Sequence, residues 1–450
     1  MDNNREIVLE ALLLYEKGEY ADKIIKSILD KYSYLERFER SFINRVFNGT
    51  IERRLTLDFI INSFSSVKVN KQKPVIRTIL RMSVYQLIFM DAIPDSAAIN
   101  EAVKLAKKKK FNGLTGFING VLRNISRQKD KINLPEGNLA SALSVRYSMP
   151  EWLCSHFIKE CGENKAIEIL ENSLAERPVI IRTNLSVTTA AELKERLENE
   201  GVTVRTPETL LKADEGSPAL IISDFDGLMS LETFDEGLFC VQDLSSQMLL
   251  NPAYESEAVR NEIIERLKTA ELIVDVCAAP GGKTCQAADL VRYYGNENCR
   301  IVSRDLTDAK VDRIDENTER CGFDNVETQV HDALLPDASI KGKADIVIAD
   351  LPCSGLGVTG RKVDIKYRVR EEDLAELARL QKEILMVVSE YVRDGGMLIY
   401  STCTVNTAEN DENARWIQDE LGFKLLGETL QMLNDSPEHD GFFISRFVKG

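Results

Sequence analysis

By type and spacing, the residues of this chain best suited to chemistry are two cysteines. Cys353 stands in Asp350-Leu351-Pro352-Cys353-Ser354-Gly355 and Cys403 in Tyr400-Ser401-Thr402-Cys403-Thr404. Each motif closes an apolar run, residues 345–350 and 397–401, that reads as a buried strand. Both thiols are therefore expected at the carboxyl ends of two strands of one sheet, beside the Asp350 carboxylate. A thiolate so placed is a nucleophile for covalent catalysis, which splits one difficult step into easier ones.

A third motif, Asp275-Val276-Cys277-Ala278-Ala279-Pro280-Gly281-Gly282-Lys283-Thr284, leads from the apolar run 272–276 into a helix. Its small residues and two glycines let the backbone approach a ligand closely at the end of a strand. The spacing is neither that of a dinucleotide fingerprint nor that of a phosphate-binding P-loop, which disfavours a dinucleotide or a nucleoside triphosphate. Asp305 ends the next run, residues 300–305, where a carboxylate can accept hydrogen bonds from ribose hydroxyls. Asp332 follows the run 326–330, where an adenine-side contact would fall; a turn residue ending the strand is the other reading.

One reaction uses all three motifs. Carbon 5 of cytosine is too weak a nucleophile to take a methyl group from a sulfonium donor, whereas a thiolate adding to carbon 6 produces an enamine whose carbon 5 can. A carboxyl group on the ring nitrogen, the role that fits Asp350, stabilises the charge that develops there. The carbon 5 proton must then leave and the thiol be expelled, a step that a second cysteine can assist. The residue types alone do not decide which thiol attacks.

Positioning these groups requires a sheet. From about Gly237 the runs 272–276, 300–305, 326–330, 345–350 and 397–401 alternate with helical patterns, as in a doubly wound parallel sheet. The last helix, near 410–420, is followed by runs at 423–426 and 442–448. The closing connection is too short for a parallel crossover, so the final edge strand is expected to be antiparallel. Before this, helices mix with short β-like runs at 179–182, 202–204 and 220–222, a small α+β layer. Residues 5–127 carry apolar stripes at helical spacing, such as Ile7, Leu9, Leu12 and Leu13, which predicts six or seven helices. Pro135, Gly137 and Asn138 mark a linker. The expected fold class is therefore multidomain: an all-α domain at 1–135, a small α+β domain at 136–236, and an α/β doubly wound, Rossmann-like domain at 237–450.

Composition supports a globular chain, 44% hydrophobic and 29% charged. No run approaches the length of a membrane span, and the start, with Asp2, Arg5 and Glu6, lacks the pattern of a secretory signal; a cytoplasmic protein without membrane contact is expected. Nine cysteines without a Cys-x-x-Cys pair and three scattered histidines support neither a disulfide framework nor a metal site. The net charge of −15 conceals an asymmetry: residues 1–135 carry 24 Lys+Arg against 15 Asp+Glu, a net of +9, which leaves −24 on the rest. A basic module on an acidic body points to a polyanionic partner. Its four-lysine run, Lys107 to Lys110, reads as a solvated helix end or, in a sharper reading, a phosphate contact.

The motifs Asp275 to Thr284, Asp350 to Cys353 and Thr402-Cys403 resemble those of the RNA cytosine-5 methyltransferases that use S-adenosylmethionine. Residues 239–246 resemble the opening segment of that catalytic domain, Arg361 to Tyr367 its substrate-side loop, and Glu409-Asn410 and Asp440-Gly441-Phe442-Phe443 also match. The basic helical part is similar to antitermination-type RNA-binding domains through Gly49-Thr50, Arg81, Tyr85-Gln86, Ile93-Pro94, residues 98–103 and residues 117–123. The pairing looks like that of the bacterial family acting on small-subunit ribosomal RNA. The resemblance implies Cys403 as nucleophile, Cys353 as the residue assisting release, and cofactor contacts at Cys277, Ala278, Ala279, Pro280, Gly281, Gly282, Lys283, Asp305, Asp332 and Asp350. Departures from the family pattern are Arg304, Leu351, Val363 and Thr407-Ala408, of which Arg304 could change the charge of the adenosine pocket. The expectation is a monomeric enzyme that methylates carbon 5 of a 16S ribosomal RNA cytosine in an accessible loop. The alternatives are a transfer RNA target, a DNA enzyme with Cys353 as nucleophile, and an RNA-binding factor with an inactive catalytic domain.

Overall fold

The computed structural model of the chain describes residues 4–137, 139–208 and 217–450; Asp2 and Asn138, used above, lie outside them. The chain divides into two compact units, Met1–Leu174 with Thr359–Val369, and Ala175–Val358 with Arg370–Gly450.

The first unit is helical. Seven α-helices span Asn4–Tyr15, Ala21–Lys31, Arg37–Glu52, Arg54–Phe64, Pro74–Phe89, Asp95–Lys108 and Thr115–Gln128. Pro74 begins its helix at the first position, where its missing N–H costs nothing. Ile43, Val46, Phe47, Leu80 and Val84 bury one face of their helices completely. Gly49 is required by a close approach: a Cβ there would lie 2.0 Å from Cζ of Tyr85. Three further helices, Ala140–Tyr147, Glu151–Cys161 and Glu163–Asn172, belong to the same unit. In the four-lysine run, Lys108 pairs with Glu6, and Lys109 pairs with Glu6 at 3.4 Å and Glu10 at 2.9 Å, so these two ammonium groups are held by carboxylates of the first helix.

Residues 359–369, expected as a substrate-side loop, pack within this helical unit. Asp364 Oδ2 accepts from the Ala21 N–H at 3.2 Å and from Arg368 Nε at 2.6 Å. The Tyr367 hydroxyl lies 3.0 Å from Ser148 Oγ, and the Arg54 guanidinium stacks 3.7 Å from the centre of its ring.

Among the described residues, the second unit holds two sheets. The smaller comprises β1 (Val179–Thr183), β2 (Thr203–Arg205), β3 (Ala219–Ser223) and β4 (Phe239–Val241), antiparallel in the order β2-β3-β1-β4. The sequence pattern shows three of these strands. The fourth, three residues long, lies in the segment read as the opening of the catalytic domain, and it pairs with β1 through Arg182↔Cys240. Three residues are too few to display a period of two.

The larger sheet comprises β5 (Leu272–Asp275), β6 (Arg300–Asp305), β7 (Val326–Val330), β8 (Ala344–Asp350), β9 (Val392–Thr402), β10 (Lys424–Leu425), β11 (Leu430–Met432) and β12 (Phe442–Val448). The order is β10-β12-β9-β8-β5-β6-β7, with β11 also on β12; β5 to β9 are parallel and β12 runs antiparallel to β9. The doubly wound sheet with an antiparallel last strand is as expected. The edge position is not: β10 and β11 both pair with β12, so β12 is interior, and its Phe443, Ile444 and Phe447 are fully buried. Strand β9 begins five residues before the apolar run, at Val392 opposite Ala344; Arg393, Asp394 and two glycines then span a register irregularity to Met397 opposite Ile346 and give no apolar signal. Chain order reverses on either side of β5, which places the sheet's ligand crevice at its carboxyl end. Among the described residues, no helix is long and apolar enough to cross a membrane.

Candidate active site

From β5 the chain turns sharply. Ala278 donates to the Arg304 carbonyl at 2.8 Å, Gly281 donates to the Ala278 carbonyl at 2.7 Å, and the helix Gly282–Tyr293 begins. Gly281 has φ +104°, and a Cβ there would stand 3.2 Å from Cα of Ile314, so both conformation and space demand glycine. Cys277 lies in this turn. Burial, with Asp305, Asp275 and Asp350 nearby, pushes its thiol far up, so it stays neutral.

Asp305 ends β6, 4% exposed. Its Oδ2 accepts from the Ala279 N–H at 2.9 Å; its Oδ1 accepts from the Leu306 N–H and Lys310 Nζ, both at 2.7 Å. An ionised carboxylate accepts about four hydrogen bonds, so these three leave about one position for a ribose hydroxyl. Asp332 Oδ1 accepts from the Leu334 N–H at 3.0 Å, the geometry of a turn residue. Arg304 does not charge this crevice: successive strand residues point to opposite faces, and its guanidinium binds Asp337 and, at 2.9 Å, Gln329. Three observations fit an adenosine-bearing cofactor here. Asp275 is fully buried with Oδ1 unpartnered, a Cβ on Gly282 would meet open space, and Leu306 and Val330 stand 57% and 50% exposed at the ends of β6 and β7.

The adjacent strand ends hold the reactive groups. Asp350 Oδ2 meets Lys283 Nζ at 2.7 Å, and its Oδ1 accepts from Ser401 Oγ at 2.7 Å. Burial alone would lower the Lys283 ammonium, but Asp350, with Asp275 and Cys403, outweighs it and the net shift is upward, so the amine stays charged beside Asp350. Cys353 Sγ and Cys403 Sγ stand 3.3 Å apart, both partly exposed. Sequence reasoning placed Lys283 only in the cofactor turn; its pairing with Asp350 is a contact between β5's turn and the end of β8 that no local spacing reveals. It also gave no sign that Cys240, Cys285 and Cys321, far apart in the chain, pack thiol to thiol in the core, all within 4.8 Å of one another.

A sheet of this order, with its ligand crevice at β5 and its last long strand antiparallel, is that of a methyltransferase. Family models agree segment by segment: residues 263–448 match 16S rRNA methyltransferase RsmB/F, residues 2–127 the NusB family, and residues 149–213 the ferredoxin-like domain of RsmF/B-like methyltransferases. The chain is 33% identical over 414 residues to a Bacillus subtilis (strain 168) protein named "Probable ribosomal RNA small subunit methyltransferase B", covering 91% of this chain and 86% of that one. The chain belongs to the RsmB/F methyltransferase family. The crystal structure of PH0851 has the same fold, with a TM-score of 0.78 at 23% identity over 100% of this chain and 99% of that one. So does a methyltransferase homolog protein from Pyrococcus horikoshii, with a TM-score of 0.57 at 22% identity over 70% and 100%.

Proposed function

We propose that this methyltransferase transfers the methyl group of S-adenosylmethionine to carbon 5 of a cytosine in small-subunit ribosomal RNA, through a covalent adduct of Cys403 at carbon 6. The observation that carries this reading is the pair of thiols, 3.3 Å apart, beside the Lys283–Asp350 ion pair at the ligand end of the sheet. The cofactor supplies an electrophilic methyl group. Residues 277–283, Asp305 and Asp332 would hold it, with the buried Asp275 behind them.

Cys403 adds to carbon 6 as the thiolate, and the electron pair displaced toward the ring nitrogen is stabilised by a proton carried in the Asp350–Lys283 pair. Carbon 5 then takes the methyl group. Its proton passes to a base at Cys353, or to one that Cys353 positions, and the Cys403–carbon 6 bond breaks to return the thiolate. A base in a helix must first be unstacked, so the target lies in an accessible loop. In this reading residues 1–135 and 136–236 bind and orient the RNA and residues 237–450 carry the pocket.

Bisulfite sequencing of total RNA from cells with and without the gene tests the substrate: a ribosomal cytosine should lose its methyl group, and a change confined to a transfer RNA would refute the assignment. Cys403→Ala should abolish methylation, while Cys353→Ala should accumulate a protein–RNA adduct; an adduct trapped by Cys403→Ala would reverse the two roles.

A further inference from the structure

Glu409 is fully buried behind the two thiols, and uncharged donors hold its carboxylate. The Ser354 N–H and Gln381 Nε2 donate to Oε2, each at 2.9 Å; Asn406 Nδ2, at 2.9 Å, and Ser354 Oγ donate to Oε1. A buried carboxylate without a cation is costly unless its lone pairs are satisfied, and here four donors meet them. Two of the donor residues, Ser354 and Gln381, bear on the thiols. Ser354 follows Cys353, and its hydroxyl also meets Thr404 Oγ1 at 2.7 Å, the residue after Cys403. Gln381 Nε2 donates in addition to the carbonyl of Pro352 at 2.9 Å, the residue before Cys353. The Tyr400 hydroxyl donates to the Glu409 carbonyl, which ties β9 to the same point.

Charges also bear on the pair. The Cys353 thiol is pushed well up, first by its hydrogen bond with Cys403, then by burial, and further by the charges of Cys403, Glu409 and Asp350. Lys283 is a cation whose charged form a thiolate on Cys403 favours.

We propose that Glu409 is a positioning residue: it presents both thiols by fixing Ser354 and Thr404, and it sets its carboxylate beside the Cys353 turn. This deepens the functional reading above and rests on it for the reaction. Unlike that reading, it makes a claim about the thiols that holds without RNA.

The test uses the full-length chain. Iodoacetamide alkylation of Cys353 and Cys403 is followed across pH by mass spectrometry, alongside kcat and KM for methylation. Glu409→Gln should move the Cys353 alkylation profile about one pH unit lower and reduce kcat about 100-fold, with both KM values within about twofold. Glu409→Asp, which keeps the charge, should restore the alkylation profile. Ser354→Ala should keep the profile but lower kcat about tenfold, since it removes only the hydroxyl link to Thr404. A folded Glu409→Gln with the wild-type profile overturns the proposal, as does Ser354→Ala with wild-type kcat, a variant that decides the matter even if Glu409→Gln fails to fold. If the wild-type chain methylates no ribosomal cytosine, the functional reading fails while the alkylation result still stands or falls by itself.

Discussion

Asp275 allows a quantitative check of the site's electrostatics. It closes β5 fully buried; Oδ2 accepts from Thr284 Oγ1 at 2.8 Å, and Oδ1 has no partner. Burial raises its carboxyl to about 7, against the opposing pull of Thr284 and Lys283. The folded chain therefore keeps a proton that the unfolded chain gives up near 3.8, so stability is fully present below that pH and is lost as pH rises through about 7. Between pH 5 and pH 8 this loss amounts to about 3 kcal/mol. Asp275→Asn removes the titration and keeps a carbonyl for Thr284. Urea unfolding of both proteins at the two pH values, read by hydrogen exchange in β5 peptides, isolates the sheet unit. The variant's stability relative to wild type should rise by about 3 kcal/mol from pH 5 to pH 8. A difference that does not change with pH would refute the reasoning, because it would mean that the carboxyl is not held protonated by burial.

Two further perturbations probe the packing behind the site. Gly49→Ala drives a methyl group into the Tyr85 ring and should cost the helical unit about 1–3 kcal/mol. The loss should appear as a lower Tm and be partly recovered by adding Tyr85→Leu. Arg182 meets Asp289 at 2.6 Å, with both side chains almost wholly buried. Arg182→Met leaves that carboxylate uncompensated and should cost about 3–5 kcal/mol in urea unfolding, toward the low end because Leu185 and Ser186 N–H groups still bind it. Replacing both partners with apolar residues should cost less than the single change.

Much of this fold was legible along the chain. Strands β6, β7 and β12 have the bounds expected of them; the buried β12 writes its length as near-continuous hydrophobicity, whereas β7, at the sheet edge, has only Val326 and Val330 to mark its ends. The elements that escaped are those whose stability is not local. β4 and β11, three residues each, exist because a neighbour supplies their hydrogen bonds, and residues 359–369 are ordered by Ala21, Arg54 and Ser148 of the helical unit.

The same division runs through the site. The residue types and their spacing determined that two thiols, a carboxylate and a glycine turn stand at strand ends, because strand length and turn chemistry are local properties, and they determined that a basic module precedes an acidic one. They left the thiols equivalent. Only the tertiary structure supplies their surroundings: Glu409 and Gln381 converge on the Cys353 turn, and Lys283 crosses from β5 to Asp350. A thiol's readiness to ionise depends on which charges stand within a few ångströms of it, and these come from residues scattered along the chain that the sheet alone brings together.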